Sequence, residues 1–216
     1  MNEIKNDFRG YLNINKPKGP SSFDVVRDVR SLLAEKRVGH AGTLDPLASG
    51  VLVVAVGREN TRNISKIQNQ RKTYIATVKM GETSETDDRE GRFTKININN
   101  IPSNDDIRDC INSFIGNIKQ VPPAYSAKKI NGQRAYKLAR HKEKIILKPC
   151  RITIHDIKIL KYKWPQLKIK VVCSKGTYIR SLARDIGNCL KTGAYLENLV
   201  RTAVGKYNLS DSINIK

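Results

Sequence analysis

One aspartate, Asp45, stands in the most unusual segment of the sequence, residues 39–50, which reads Gly-His-Ala-Gly-Thr-Leu-Asp-Pro-Leu-Ala-Ser-Gly. Its glycines permit tight turns and the close approach of a ligand, and Pro46 biases the residue before it towards an extended backbone. The apolar run 51–56 follows, so the segment predicts a carboxylate at the mouth of a buried strand. Such a group can act as a base, a nucleophile or a stabiliser of positive charge. The competing interpretation is that Asp45 only caps a Gly/Pro turn.

A carboxylate in dry surroundings needs a cationic neighbour, because burial raises the pKa of the acid and favours its neutral form. Arg180 is the candidate, because it lies just inside a predicted helix start within residues 174–181, Ser-Lys-Gly-Thr-Tyr-Ile-Arg-Ser. Tyr178 and Arg180 are separated by one residue, so their side chains need not share a face unless the helix begins between them. Taken alone, the pair is equally well interpreted as a surface arginine and a half-buried tyrosine.

Several familiar chemistries are excluded by what the sequence lacks. It contains no P-loop, no Gly-x-Gly-x-x-Gly and no His-Glu-x-x-His, and its three histidines are too dispersed for a metal-ligand motif. The four cysteines form no C-x-x-C pair, which is typical neither of a disulfide framework nor of a zinc site, and we expect each to lie in a core. The sequence therefore predicts carboxylate chemistry without a metal or cofactor, in a reducing cytoplasm.

Charge gives the first indication of a partner. The 216 residues carry a formal net charge of +20, and residues 119–216 contain 22 Lys and Arg against 5 Asp and Glu. A surplus of this size favours a polyanion as partner, although a solvated basic surface is the alternative. The longest apolar run is too short to span a bilayer. We expect no secretory signal, because the first residues include Glu3 and Asp7 and no apolar run. Acidic residues cluster in one loop, which a phosphate backbone would avoid: Glu82, Glu85, Asp87, Asp88 and Glu90.

Hydrophobic periodicity predicts a mixture of strands and helices. Helices are expected after Ser21 or Ser22, around 64–67, after Ser103, over 134–140, and from about 179 to a stop at Gly193. Strands are expected at 11–15, 51–56, 74–80, before 122, at 152–160, 167–173 and 200–207. Because these elements do not alternate strictly as βαβ, they indicate an α+β fold with one mixed sheet.

Five segments of this chain, in order, resemble the TruB-type tRNA pseudouridine synthases, which convert the uridine at position 55 in the tRNA T-loop. The resemblance covers nearly the whole chain and implies a pseudouridine-synthase-like catalytic domain with a mixed, largely antiparallel central sheet flanked by helices. The matching segments are 16–22, 39–50, 72–74, 122–129 with Gly132, Arg134, Tyr136, Ala139 and Arg140, and 175–180.

The resemblance also implies a role for individual residues. Asp45 aligns with the catalytic aspartate of the family, and Arg180 would pair with it. Tyr74 would stack on the target uracil and help to remove the proton at C5. Three further residues would bind the flipped nucleotide or line its pocket: His40, Tyr178 and Leu199.

The sequence departs from the family at several points. Val200 stands where an arginine is frequent, and Ser84 where an aspartate is common. The chain stops shortly after 204–207, whereas most bacterial relatives continue into a small C-terminal RNA-binding domain. We therefore expect residues 1–216 to form a single catalytic domain, with the C-terminal PUA-like domain absent or vestigial. The expected state is a monomer, with tRNA as its partner.

The implied reaction breaks the N1–C1′ bond, rotates the uracil and joins C5 to C1′, so it needs no redox cofactor. Attack at C1′, addition at C6 and proton removal from C2′ all remain open. Extruding the uridine costs a few kcal/mol, which stacking of roughly 1–3 kcal/mol per base would partly offset. Three other interpretations are a non-catalytic RNA-binding protein, an RNA-guided synthase with partner proteins, and a basic structural protein of a ribonucleoprotein.

Overall fold

The computed structural model describes residues 7–126, 128–130, 132–134 and 147–215. The chain forms two compact units, which we call unit 1 (Met1–Ile75 with Leu199–Lys216) and unit 2 (Ala76–Asn198). The helix predicted over 134–140 lies outside the described residues, apart from Arg134, which is in a strand. None of the helices described is long and apolar enough to cross a membrane.

The helices and strands are named in chain order. The helices are α1 Ser22–Leu32, α2 Arg58–Arg62, α3 Ile64–Gln68, α4 Asn104–Ser113 and α5 Ile179–Cys189, followed by a 3₁₀ turn at Leu209–Asp211. The first strands are β1 Gly10–Lys16, β2 Val38–His40, β3 Ser49–Val56, β4 Lys72–Met80, β5 Glu82–Ser84, β6 Phe93–Lys95 and β7 Gly116–Gln120. The later ones are β8 Lys129–Ile130, β9 Gln133–Arg134, β10 Cys150–Lys163, β11 Gln166–Cys173, β12 Ala194–Val204 and β13 Tyr207–Asn208.

Strand β3 is the centre of the unit 1 sheet. It pairs antiparallel with β1 along one edge, and on the other edge it pairs antiparallel with β2 and parallel with β12. Seven of its eight residues are buried, because both faces are covered, and this explains the continuous apolar run in the sequence. One face packs with α1 through Leu12, Ile14, Val25, Val26, Val29, Leu52, Val54 and Val56.

Helix α1 begins where the sequence predicted. Ser21 is the N-cap, and its hydroxyl accepts a hydrogen bond from the Asp24 amide while the Asp24 carboxylate accepts one from the Ser21 amide. This reciprocal capping box satisfies two backbone donors that would otherwise be unpaired. Leu32, the last residue of α1, is 48% exposed.

Unit 2 contains a second set of strands in the order β4-β11-β10-β7, with β10 antiparallel to both of its neighbours. Buried and exposed residues alternate along β11, as its sequence predicted. Helix α4 packs on β10 and on α5. Apolar stripes on the two helices are buried: Ile107, Cys110 and Ile111 on α4, and Ile179, Leu182, Ala183 and Ile186 on α5.

The predicted α+β fold with a mixed sheet is confirmed, and several element boundaries differ from the prediction. Helix α5 ends at Cys189, and Lys191 rather than Gly193 takes the first left-handed conformation, with φ 56°. The last strand begins at Ala194, six residues before the predicted start, and Gly205 turns the chain into β13. The end of the helix was misplaced because Gly193 was taken as its stop signal.

Gly50 allows β12 to lie against β3. Its φ is +105°, and a Cβ there would lie 2.2 Å from the Arg201 carbonyl oxygen. Gly50→Ala should therefore lower the free energy of unfolding by about 3 kcal/mol or more, through clash added to backbone strain. Urea unfolding measures the change. Gly19→Ala is the matched control, since φ is +103° there but no atom lies within 4 Å of where the added Cβ would be. Equal losses in the two variants would contradict the close approach.

Candidate active site

Asp45 lies in the loop of residues 41–48, between β2 and β3 of unit 1, and is half-buried. Leu44 and Leu47 on either side of it are buried. The Ala48 amide donates to the Asp45 carbonyl oxygen at 3.0 Å and closes a turn. The carboxylate thus lies neither in the core nor on the open surface.

Arg201 holds this loop from the neighbouring strand. It is 1% exposed, and its Nε donates to the Val51 carbonyl oxygen at 2.7 Å. Its two terminal nitrogens donate to the carbonyl oxygens of Gly42 at 3.0 Å and Thr43 at 3.4 Å. One buried guanidinium therefore binds the backbone on both sides of Asp45. Sequence reasoning gave Arg201 no role, although an arginine within the apolar run of β12 was the available signal.

The start of α1 holds the loop through a different set of hydrogen bonds. The buried Ser22 hydroxyl donates to the Leu44 carbonyl oxygen at 2.9 Å and accepts from the Leu44 amide at 2.8 Å. The Gly19 amide donates to the Pro46 carbonyl oxygen at 2.8 Å. The N-terminal motif 16–22 and the aspartate loop are therefore one hydrogen-bonded structure.

Lys16 is a fully buried cation in the same unit. Its ammonium donates to the carbonyl oxygens of Pro17 at 2.7 Å and Pro20 at 2.8 Å. Burial lowers the pKa of Lys16 to about 8; Asp45 acts to raise this pKa and Arg201 to lower it further. Lys16 thus lies within electrostatic range of both Asp45 and Arg201.

Three other predicted site residues also belong to unit 1. His40 ends β2, and its pKa is lowered by burial and by the charge of Arg201, which favours the neutral imidazole. Tyr74 lies in the first residues of β4, which belong to unit 1, and is 8% exposed. Leu199 in β12 is 6% exposed. Unit 1 therefore contains four of the six residues that the sequence singled out.

Arg180 lies in unit 2, in the first turn of α5, and is 6% exposed. Its guanidinium forms an ion pair with the buried Asp88 carboxylate at 3.3 Å. It also donates to the carbonyl oxygens of Thr86 at 3.2 Å and Tyr125 at 2.9 Å. Sequence reasoning missed Asp88, which it counted only as part of an acidic loop. The pairing of Arg180 with Asp45 stays a prediction.

The acidic loop is a structural support for α5. Asp88 accepts hydrogen bonds from the Thr86 hydroxyl at 2.5 Å and from the Glu90 amide at 3.0 Å. Asp87 pairs with Arg184 at 2.8 Å, and burial raises the pKa of Asp87 in spite of this partner. Two of the five acidic residues of this loop therefore form ion pairs with arginines of α5.

Tyr178 is the N-cap residue of α5, so the helix does begin between Tyr178 and Arg180. Gln120, at the end of β7, is buried and binds both backbone groups of Tyr178. Its side-chain oxygen accepts from the Tyr178 amide at 2.9 Å, and its nitrogen donates to the Tyr178 carbonyl oxygen at 3.1 Å. Gln120 therefore fixes the backbone from which this tyrosine projects, a role with no local sequence signal.

The cysteines are free thiols. Cys110 and Cys173 are buried in the core as expected, whereas Cys189, at the end of α5, is exposed and the expectation was wrong there. Among the described residues, no group of three or more His, Cys, Asp or Glu side chains is placed to hold a metal ion.

Arg201→Lys should loosen the aspartate loop, because an ammonium cannot reproduce the planar fork that binds three carbonyls. Leaving buried carbonyls unpaired should lower the free energy of unfolding by about 2–3 kcal/mol. Amide hydrogen exchange should accelerate in residues 41–48. Arg58→Lys, on the exposed α2, is the control. Unchanged protection of the loop in Arg201→Lys would show that the guanidinium does not hold it.

Asp88→Asn removes a negative charge beside a buried guanidinium and should cost about 3 kcal/mol of unfolding free energy, measured in urea. Asp105→Asn is the control: its ion pair with Arg108 is shorter, 2.7 Å, but both side chains are more than half exposed. Solvent screening should limit that loss to about 1 kcal/mol or less. Similar losses of unfolding free energy in the two variants would mean that burial does not determine how much these ion pairs stabilise the fold.

The chain is similar to known proteins over most of its length. The profile of "TruB family pseudouridylate synthase (N terminal domain)" matches residues 30–179. The chain is 48% identical to tRNA pseudouridine synthase B of Clostridium kluyveri and 49% identical to that of Clostridium acetobutylicum; each match covers 96% of this chain and 71% of the relative. The protein of the same name from Thermosipho melanesiensis is 48% identical over 95% of this chain and 67% of its own.

Solved structures show the same relationship. The chain resembles a protein in a Cbf5-Nop10-Gar1 complex with a TM-score of 0.74 and 29% identity, over 95% of this chain and 52% of that one. It also resembles a protein in an H/ACA RNP bound to a substrate RNA containing 2′-deoxyuridine, with a TM-score of 0.69 and 27% identity, over 95% of this chain and 50% of that one. It spans about half the length of these two proteins. The chain belongs to the TruB family of pseudouridylate synthases.

Proposed function

We propose that this protein converts the uridine at position 55 in the T-loop of tRNA to pseudouridine. One observation carries the proposal: identities of 44–49% to proteins named tRNA pseudouridine synthase B, over 96% of this chain. The Asp45 loop lies within the family match.

Asp45 is the proposed catalytic group. The reaction replaces the N1–C1′ bond by a C5–C1′ bond within the same nucleotide. A single well-placed carboxylate can serve this reaction as nucleophile or base. The bonds from Arg201 and Ser22 hold its loop on two sides. Such preorganisation supports catalysis, because little conformational freedom is then lost when the substrate binds.

The remaining roles are proposed from the motifs. Tyr74 stacks on the everted uracil, and Arg180 is the cationic partner of the carboxylate. His40, Tyr178 and Leu199 line the nucleotide pocket. The neutral imidazole of His40 suits stacking on bases, because it brings no charge to desolvate.

A second candidate is a synthase that acts within an RNA-guided particle. The structural similarity to a protein in an H/ACA RNP favours it. The identity to that protein is 27%, well below the 48% to the bacterial tRNA enzyme. Activity of the purified chain alone on a tRNA transcript supports the first candidate; activity only with a guide RNA and partner proteins supports the second.

Asp45→Asn should bind an unmodified tRNA transcript with a Kd within about threefold of the wild type, because the substitution changes no phosphate contact. It should form no pseudouridine, because the amide is neither a base nor a nucleophile. Chemical mapping of pseudouridine after single-turnover incubation measures this.

Asp28→Asn is the matched control, because Asp28 is an exposed carboxylate on α1, and it should convert the T-loop uridine at the wild-type rate. Turnover by Asp45→Asn near the wild-type rate would refute the catalytic assignment. Pseudouridine at another position would refute the substrate site.

A further inference from the structure

The sheet of unit 2 has one open face on which cations are concentrated. The opposite face of β10 and β11 is apolar and buried, and α4 packs on β10. We call the open side the cationic sheet face and define it by six exposed residues: Lys119 of β7, Arg151, Lys158 and Lys161 of β10, and Lys168 and Lys170 of β11.

The strand register places these cations opposite one another. Arg151 is paired with Lys119 across β10 and β7. Lys158 is paired with Lys170, and Lys161 with Lys168, across β10 and β11. Side chains directly opposite in an antiparallel pair lie about 4.5–5.5 Å apart at Cβ, and like charges there are destabilising. Three such pairs on one face lower the stability of the sheet, so a role in folding does not explain why these cations are there.

Within the described part of the chain, none of the six cations forms a salt bridge, whereas Lys79 nearby pairs with Glu82 at 3.5 Å. Glu197 accepts a hydrogen bond from Gln166 at 2.8 Å rather than pairing with a lysine. Asp156 lies on the same side of β10 as Lys158, but neither it nor any other carboxylate in the described part of the chain forms an ion pair with the six cations.

A shallow cleft of about 520 Å³ extends this face at the end of the β10–β11 hairpin. Four cations line it, Arg89, Lys161, Lys163 and Lys168, together with one carboxylate and three neutral polar residues: Glu197, Thr77, Gln166 and Asn198. Guanidinium, ammonium and amide N–H groups together are the donors that bind phosphate oxygens.

We propose that the cationic sheet face binds the phosphate backbone of RNA, through residues other than those that act on the uridine. The identification of that RNA as tRNA rests on the proposed function. A polyanion supplies the missing counter-charge, and the open sheet face presents five ammonium groups and one guanidinium to it. An anionic membrane fits less well, because Leu160 is the one large exposed apolar side chain among the described residues of β10 and β11.

The test is a fourfold variant, Lys158→Gln, Lys161→Gln, Lys168→Gln and Lys170→Gln. The control removes the same number of positive charges from exposed sites of unit 1: Lys36→Gln, Arg58→Gln, Lys66→Gln and Lys206→Gln. Fluorescence anisotropy gives the Kd for an unmodified tRNA transcript between about 50 and 200 mM KCl.

The fourfold variant should bind about tenfold or more weakly at the lower salt concentration. The slope of log affinity against log salt should become shallower by roughly 3, since each lost phosphate contact removes about 0.7–0.9. The control should lose less than about threefold, because its charges act only at long range. Equal Kd and slope in the two variants would overturn the proposal.

Two further readouts distinguish RNA binding by this face from a role in the chemical step and from membrane binding. The single-turnover rate at saturating tRNA should equal the wild-type rate, since no reacting group is changed. If the wild type converts no uridine but the binding loss occurs as expected, the proposed function fails and the RNA surface stands. If the variant loses binding to phosphatidylserine vesicles but not to tRNA, the partner is a membrane and the proposal is wrong.

Thermal unfolding at low salt tests whether repulsion between the paired cations destabilises the fold. Removing like-charge pairs should leave the Tm of the fourfold variant equal to or above that of the wild type. A clear fall in Tm would show that the lysines stabilise the fold, and would contradict the proposal.

Discussion

The hydrogen bonds from Arg201 to the carbonyls around Asp45 are the constraint on which the candidate site depends. A buried guanidinium is costly unless it is hydrogen-bonded, and here each of its three nitrogens donates to a carbonyl oxygen of the loop or of β3. The same bonds determine where the loop backbone lies. Gly50 is part of this constraint, since any side chain there would push Arg201 and its strand away from β3.

Both units bury a cation close to the start of a helix, but they compensate its charge differently. In unit 1, Lys16 donates to carbonyls just before α1. In unit 2, Arg180 at the start of α5 meets the carboxylate of Asp88. Carbonyl oxygens satisfy the donors of Lys16 without neutralising its charge, and the lowered pKa of this lysine reflects that cost. A retained positive charge near Asp45 suits a protein whose proposed substrate is a polyanion.

The net charge of +20 has a spatial organisation that composition does not reveal. The acidic residues Asp87 and Asp88 are paired with arginines of α5, so they do not neutralise the sheet. The lysines of β10 and β11 instead face one another on one side. Some charged residues of unit 2 thus form ion pairs that support α5, whereas the paired lysines form an open cationic surface.

Local patterns in the sequence determined much of this protein. The alternation in β4 and β11, the continuous apolar run of β3 and the caps at Ser21 and Ser103 depend on neighbours in the chain, so they could be predicted. The glycines and proline around Asp45 likewise marked the loop. Only the tertiary structure decided the roles of Arg201 and Gln120, because their partners lie up to 159 and 58 residues away. It also decided which lysines face each other, since irregularities near residues 154–156 and 159–161 shift the strand register in a way that no periodicity encodes.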